Sequence, residues 1–213
     1  MRLISVIFVT FIVLFLMGCG SSRHPQLYLS YFDIKQPQVG DFEVCASSGC
    51  HKLSQLAYTA NEWETICAVF ELASTSPADE RERIKTAVAT MEQMIGTKNG
   101  TSGDAARNHH HGEGKQLDCI AEAANTTVAL LLFQKENLLR YHTVGHPEHR
   151  GLLHGRLPHN TASIYENTTG DHYTVDSWFF KNGEPPVCVP VNEWKAGYNP
   201  NDSSKQAPLN LRL

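Results

Sequence analysis

Hydrophobic and polar positions divide the chain into an apolar leader, a helical half and a strand-rich half. After a single Arg2, the uncharged stretch Leu3 to Met17 is short for a membrane span and runs into small residues, which predicts a cleaved signal peptide over 1–18 rather than a fold element. Residues 19–40 are polar and mixed, broken by Pro25 and Pro37 and without a sustained period, so a tether is expected there. Phe42 to Cys45 and Leu53 to Tyr58 have the look of short strands. Thr59 and Glu62 form a capping-box pair ahead of Trp63, Ile66, Phe70 and Ala73 on one helical face. Ser76-Pro77 opens a second helix with Ile84, Ala87, Val88, Met91 and Ile95 at helical spacing, closed by Gly96. Ile120 to Phe133 is apolar nearly all round, which predicts a buried, central helix with Asp118 as its N-cap.

The pattern then changes period. Leu138 to Val144, Thr161 to Glu166 and His172 to Trp178 predict strands, the last two joined across the turn-rich Asn167-Thr168-Thr169-Gly170-Asp171. Asn182-Gly183 marks a further turn, and Val187 to Val191, with Pro190 inside it, is expected as an edge strand. Residues 97–115 form a Gly-, Asn-, Ser- and His-rich loop, and 199–213 a polar tail. Helices followed by strands, with no internal repeat, predict one α+β domain over 41–198.

The 213 residues carry 22 Asp+Glu and 18 Lys+Arg, a formal charge of −4; removing 1–18 takes away only Arg2 among the charged residues, which leaves −5. An acidic chain without a Lys/Arg block has no electrostatic footprint for nucleic acid. Leu16-Met17-Gly18-Cys19 resembles a bacterial lipobox. That resemblance implies cleavage before Cys19, lipid on its thiol and, with Gly20 following rather than an aspartate, an outer-membrane anchor facing the periplasm. The competing reading is an ordinary signal peptide. Export implies an oxidising compartment, where paired cysteines become disulfides. With Cys19 lipidated, five cysteines remain: Cys45, Cys50, Cys67, Cys119 and Cys188. Spacing does not fix connectivity, but Cys45 with Cys50 across Ala-Ser-Ser-Gly, and Cys67 with Cys188 as a longer staple, are the expected pairs. Cys119 is the thiol left over.

Cys119 opens the central helix, where unpaired N–H groups and the positive end of the helix dipole favour a thiolate, while the neighbouring Asp118 carboxylate opposes it. The competing reading is a small core residue. A nucleophile needs a base and a group to orient that base, and His159-Asn160-Thr161 and Tyr173-Thr174-Val175-Asp176 supply both downstream. Over residues 116–178 the chain resembles the transglutaminase-like superfamily of papain-like cysteine enzymes, with a helix-opening Cys, then a His on one strand and an Asp on the next. The resemblance implies Cys119 as nucleophile, His159 as general base and Asp176 as the residue orienting it, on a core with the nucleophile at the N-terminus of a central helix. Asp118 and Ile120 replace the Gly and Trp that often flank the cysteine in that superfamily. For the oxyanion, the backbone N–H of Cys119 and the side chain of Gln116 are the nominated donors; Gln116 reads equally as a polar loop residue.

Strand parity bears on the same assignment. His159 and Asp176 share a face only if paired residue numbers sum to an odd value, as when Tyr165 faces His172; pairing Glu166 with His172 separates them. His154 and His172 are the alternative bases. The expected activity is amide hydrolysis or transamidation through a thioester on peptide or peptidoglycan-like amides, with no cofactor. The alternatives are a non-catalytic lipoprotein that binds or scaffolds on the same fold, and an envelope metal binder using its histidines. The metal groupings are weak: His109-His110-His111 lie in the loop, Pro147 keeps His142, His146 and His149 off one helix face, and Cys45, Cys50 and His51 lack a second ligand pair.

Overall fold

The computed structural model describes residues 24–71, 74–109, 114–151 and 158–202. The signal peptide, Cys19, His110, His111 and His154 lie outside these residues. Five helices and five strands follow in the order α1 (Pro25–Ser30), β1 (Phe42–Cys45), β2 (Leu53–Leu56), α2 (Ala60–Ala68), α3 (Pro77–Asn99), α4 (Cys119–Lys135), β3 (His142–Arg150), β4 (His159–Glu166), β5 (His172–Val175) and α5 (Val191–Lys195). The class is α+β: β1 and β2 form an antiparallel ribbon, and β3-β4-β5 an antiparallel sheet in sequence order. Among the described residues no helix is long and apolar enough to cross a membrane.

α4 is the axis of the molecule. Residues Ala121 to Phe133 are all buried, and the helix packs on β1, β3, β4, α1 and α3. A helix with no polar face has no solvent side, so every neighbouring element is placed relative to it. Polar atoms on α4 are therefore matched one by one. Asn125 accepts the Cys45 N–H at 2.7 Å and donates to the Cys45 carbonyl at 3.0 Å, which completes the inner edge of β1. A second buried polar clamp sets the sheet. Glu80, fully buried in α3, accepts the N–H groups of Arg140 and Tyr141 and lies 2.8 Å from His142 Nδ1, so the start of β3 is fixed to the first turn of α3.

Some expectations change. Residues from Pro25 onward are not a tether: α1 is capped by the His24 ring, begins with proline, and buries Leu29 and, just beyond it, Ile34 in the core. A helix of six residues is too short to leave a period in the sequence. α3 does not close at Gly96 but continues to Asn99 and ends at Gly100 with φ 84°. Gly96 is internal because a Cβ there would lie 2.8 Å from Asn182 Oδ1 and 2.9 Å from the Ser102 backbone, so the loop after α3 folds back over it. Val187 to Val191 makes only isolated bridges, Val187 with Asp176 and Pro190 with Tyr173, and then turns into α5. Pro190 lacks the N–H that a continuous ladder needs.

Cys45 and Cys50 are joined in a disulfide across a 3-10 turn at Ser48–Cys50. The expected Cys67–Cys188 staple is not formed: both are free thiols. Cys67 lies on α2 near Glu136, Glu64 and Glu71, whereas the half-buried Cys188 lies near Arg81 and Lys85 of α3, so the two belong to different neighbourhoods.

Two outcomes follow. Alkylation under denaturing, non-reducing conditions is expected to label Cys67, Cys119 and Cys188 and to leave Cys45 and Cys50 linked, as read by peptide mass spectrometry; a Cys67–Cys188 peptide would contradict this arrangement. Asn125→Ala, which strands both polar groups of buried Cys45, is expected to lower unfolding free energy by roughly 2–4 kcal/mol in a urea titration.

Candidate active site

The helix start that carries Cys119 is built from the loop before it. Asp118, buried, caps α4 by accepting the Ala121 N–H at 3.0 Å. Asp104 accepts the Leu117 N–H at 2.6 Å, and Asn108 donates to the Leu117 carbonyl at 3.4 Å, so the residues entering the helix are held from both sides. Cys119 is the first residue of α4 and is half-buried. Its N–H, like the others of a first turn, has no intrahelical acceptor.

β4 and β5 pair with Tyr165 opposite His172 and Ala162 opposite Val175. That is the register whose parity brings His159 and Asp176 to one face. His159 Nε2 lies 2.8 Å from Asp176 Oδ2, with both residues buried. The same oxygen accepts the indole N–H of Trp194 at 2.7 Å, and Trp194 is fully buried. Asp176 is pinned in turn by backbone bonds to Val187 in both directions, 2.9 and 3.2 Å. One oxygen of the carboxylate is thus engaged by two rings while its main chain is held in place, which orients the imidazole.

Aromatic rings enclose that imidazole. Its centroid lies 4.5 Å from Trp178, 5.3 Å from Trp194 and 5.5 Å from Phe179. Nδ1, the nitrogen turned away from Asp176, is buried and makes no hydrogen bond of ordinary geometry, while the Cys119 thiol is within hydrogen-bonding and electrostatic reach of the ring. Burial opposes charge on His159, but the Asp176 charge and hydrogen bond, with smaller contributions from Cys119, outweigh it and raise the pKa to about 9. The ring is therefore held as an imidazolium across the neutral range.

Behind the start of α4 lies a cluster of acids. Burial pushes Glu122 well above the ordinary carboxylate range, Glu92 to about 7 and Asp104 to about 6, and each feels the negative charge of a neighbouring acid. Glu122 and Asp104 share a hydrogen bond, in which the protonated Glu122 donates. Closely spaced buried carboxyls cannot all ionise.

Other candidates fall elsewhere. Gln116 is not aimed at the thiol: its Oε1 accepts the Ala105 N–H and its Nε2 donates to the Gly103 carbonyl, so its amide is consumed in bracing the loop. His172 stacks on Tyr165 with centroids 3.9 Å apart and lies near Glu148, not Cys119. His142 is engaged by Glu80 and Arg81, His146 by the Pro147 carbonyl and His149 by Asn160. Among the described residues no three His, Cys, Asp or Glu side chains are placed to hold a metal ion. Nothing local in the sequence marks Trp178, Glu122 or the side chain of Asn160 as neighbours of the thiol and the imidazole. Trp194 left one usable signal, a tryptophan in an otherwise polar C-terminal stretch, which demands a buried partner for its N–H.

No family model, curated protein or solved structure matches the chain.

The raised carboxyl pKa values give these acids a contribution to stability of definite sign, opposed over the same interval only by the lowered pKa of His172 among the histidines with a resolved shift. The folded chain retains protons that the unfolded chain releases above the ordinary carboxylate range, so this contribution is fully present at acid pH and is lost as pH rises through about 6 and about 7. The His159 contribution, full below 6.5 and lost towards about 9, runs the same way. Thermal melts of the wild type are expected to fall between about pH 5 and about pH 8, with a flatter profile in Glu122→Gln, which keeps the donor to Asp104 and loses the titration. A wild-type melting temperature that rises over that interval would contradict the burial of these acids.

Proposed function

We propose that this chain is a thiol enzyme of the transglutaminase-like kind, anchored by lipid on Cys19 to the bacterial outer membrane on its periplasmic side. In this reading it acts on peptide or peptidoglycan-like amides. The observation that carries the proposal is the thiol at the first position of α4 beside an imidazole whose other nitrogen is bound to a buried, doubly engaged carboxylate.

The chemistry follows from that arrangement. The Cys119 sulfur attacks the amide carbon, forming a C–S bond and moving the carbonyl π pair onto oxygen. As the tetrahedral adduct collapses, the C–N bond breaks and His159 gives its Nδ1 proton to the leaving amine, which yields a thioester and neutral histidine. Water, or an amine, then attacks the thioester carbon while His159 takes the proton, and the thiolate is released. Asp176 holds the ring so that Nδ1 faces sulfur throughout. The wall formed by Trp178, Phe179 and Trp194 keeps bulk water from the His159–Asp176 bond, which strengthens it. Two of the other thiols are poor nucleophiles: burial pushes Cys188 up to about 12, and burial with Glu136, Glu64 and Glu71 raises Cys67.

The test is the rate of alkylation of the native protein by limiting iodoacetamide near neutral pH, followed by peptide mass spectrometry. Cys119 is expected to react well ahead of Cys67 and Cys188, and His159→Ala to slow it by roughly ten- to a hundredfold. Equal rates in wild type and His159→Ala would remove the enzyme reading in favour of a binding or scaffolding role.

A further inference from the structure

The thiol has a second polar neighbour. Asn160, the residue after His159 in β4, places Nδ2 at 3.9 Å from Cys119 Sγ. The other end of that amide faces His149, its cross-strand partner in β3, with Nδ1 3.3 Å from Asn160 Oδ1. The two contacts give the amide a definite sense. An imidazole N–H donates to the amide oxygen, which turns the NH2 group towards sulfur, and a thiolate would repel the oxygen.

Asn160 also belongs to a cavity of about 700 Å³ whose walls include Tyr28, Gly145, His146 and His149. Cys119 is not itself a wall of that cavity; Asn160 touches both the cavity and the sulfur, so an acyl group drawn from the cavity would reach the thiol past the Asn160 amide. The other side chains near this point are engaged elsewhere. Tyr28 donates its hydroxyl to the Ile120 carbonyl, and Gln116 braces the 103–105 loop.

Building on the thioester chemistry above, we propose that the Asn160 side-chain amide and the Cys119 backbone N–H are the two oxyanion donors of this site, with His149 fixing the orientation of the amide. In the tetrahedral adduct the oxyanion is two bonds from sulfur, so a donor now 3.9 Å from Sγ can close on it at about 2.7–3.1 Å. The Cys119 N–H is aligned with the helix dipole and reaches the same oxygen from the helix side. Asn160 is then a catalytic residue, and His149 a positioning residue acting through it.

Two reactions of one thiol separate this role from thiol activation. Iodoacetamide is attacked at a saturated carbon and forms no oxyanion, whereas p-nitrophenyl acetate acylates sulfur through one. With the whole protein, Asn160→Ala is expected to slow the p-nitrophenol burst by roughly a hundredfold or more while changing the iodoacetamide rate by no more than about twofold. Asn160→Leu keeps the approximate shape, loses the donor without adding charge and is expected to do the same; His149→Ala is expected to give a smaller loss confined to acylation. If His159→Ala slows both reactions but Asn160→Ala and Asn160→Leu slow neither, or slow both equally, the oxyanion assignment is overturned and the thiol-enzyme reading stands. A wild-type protein that alkylates rapidly and gives no burst also overturns the assignment. If His159→Ala alters neither rate, it is the underlying enzyme reading that fails.

Discussion

One carboxylate oxygen carries the geometry of the site. Asp176 Oδ2 receives His159 from the sheet and Trp194 from α5, and the distances of 2.8 and 2.7 Å leave it no freedom to serve one and release the other. Because Asp176 is also tied to Val187 by its main chain, the end of β5, the segment after it and α5 form a single frame around the imidazole. Charge-assisted hydrogen bonds in a dry environment are stronger than neutral ones, and here the aromatic wall supplies the dryness. Arg150 adds to the same frame by donating to the Trp194 carbonyl and lying over its ring at 4.6 Å.

The other half of the site depends on α4 and on what is packed behind it. A helix buried on every side from Ala121 to Phe133 cannot tilt to accommodate a neighbour, so the core sets the direction from which Cys119 is presented. Asp104, Asn108 and Gln116 then secure the approach to the helix. The acids that do this work bring a difficulty, since negative charge near a helix start also competes for the dipole that an anionic sulfur would use.

Much of this was legible in the sequence where the signal was local. The Thr59–Glu62 capping box, the Asp118 cap and the apolar run of α4 each rest on neighbours within a few residues, and all three appear as hydrogen bonds or burial. The parity rule reduced the relation between His159 and Asp176 to two registers. It could not choose between them, because the register is set by how the 167–171 turn closes, with the Glu166 N–H donating to the Asp171 carbonyl and the Gly170 N–H to the Glu166 carbonyl, and composition alone does not select that closure. Most of the remainder was hidden because it depends on distant partners. α1 is too short to show a period, the fate of Cys67 and Cys188 depends on which helix each faces, and Trp194 and Asn160 matter only through partners 18 and 41 positions away.

The raised carboxyl groups ease the electrostatic conflict at the head of α4. If Glu92, Asp104, Glu122, Asp118 and Asp176 were all ionised, the field at the first turn would be strongly negative and an anion on Cys119 would be disfavoured. Burial makes that state costly, and the chain avoids it by keeping Glu122 neutral and hydrogen-bonded to Asp104, with Glu92 raised as well. The negative charge that remains nearest the imidazole is that of Asp176, on the side where it stabilises the imidazolium. Raising these acids therefore lessens the negative charge behind the helix start, and most of all at Glu122. The same burial that builds the core thus sets the charge balance of the cleft in front of it.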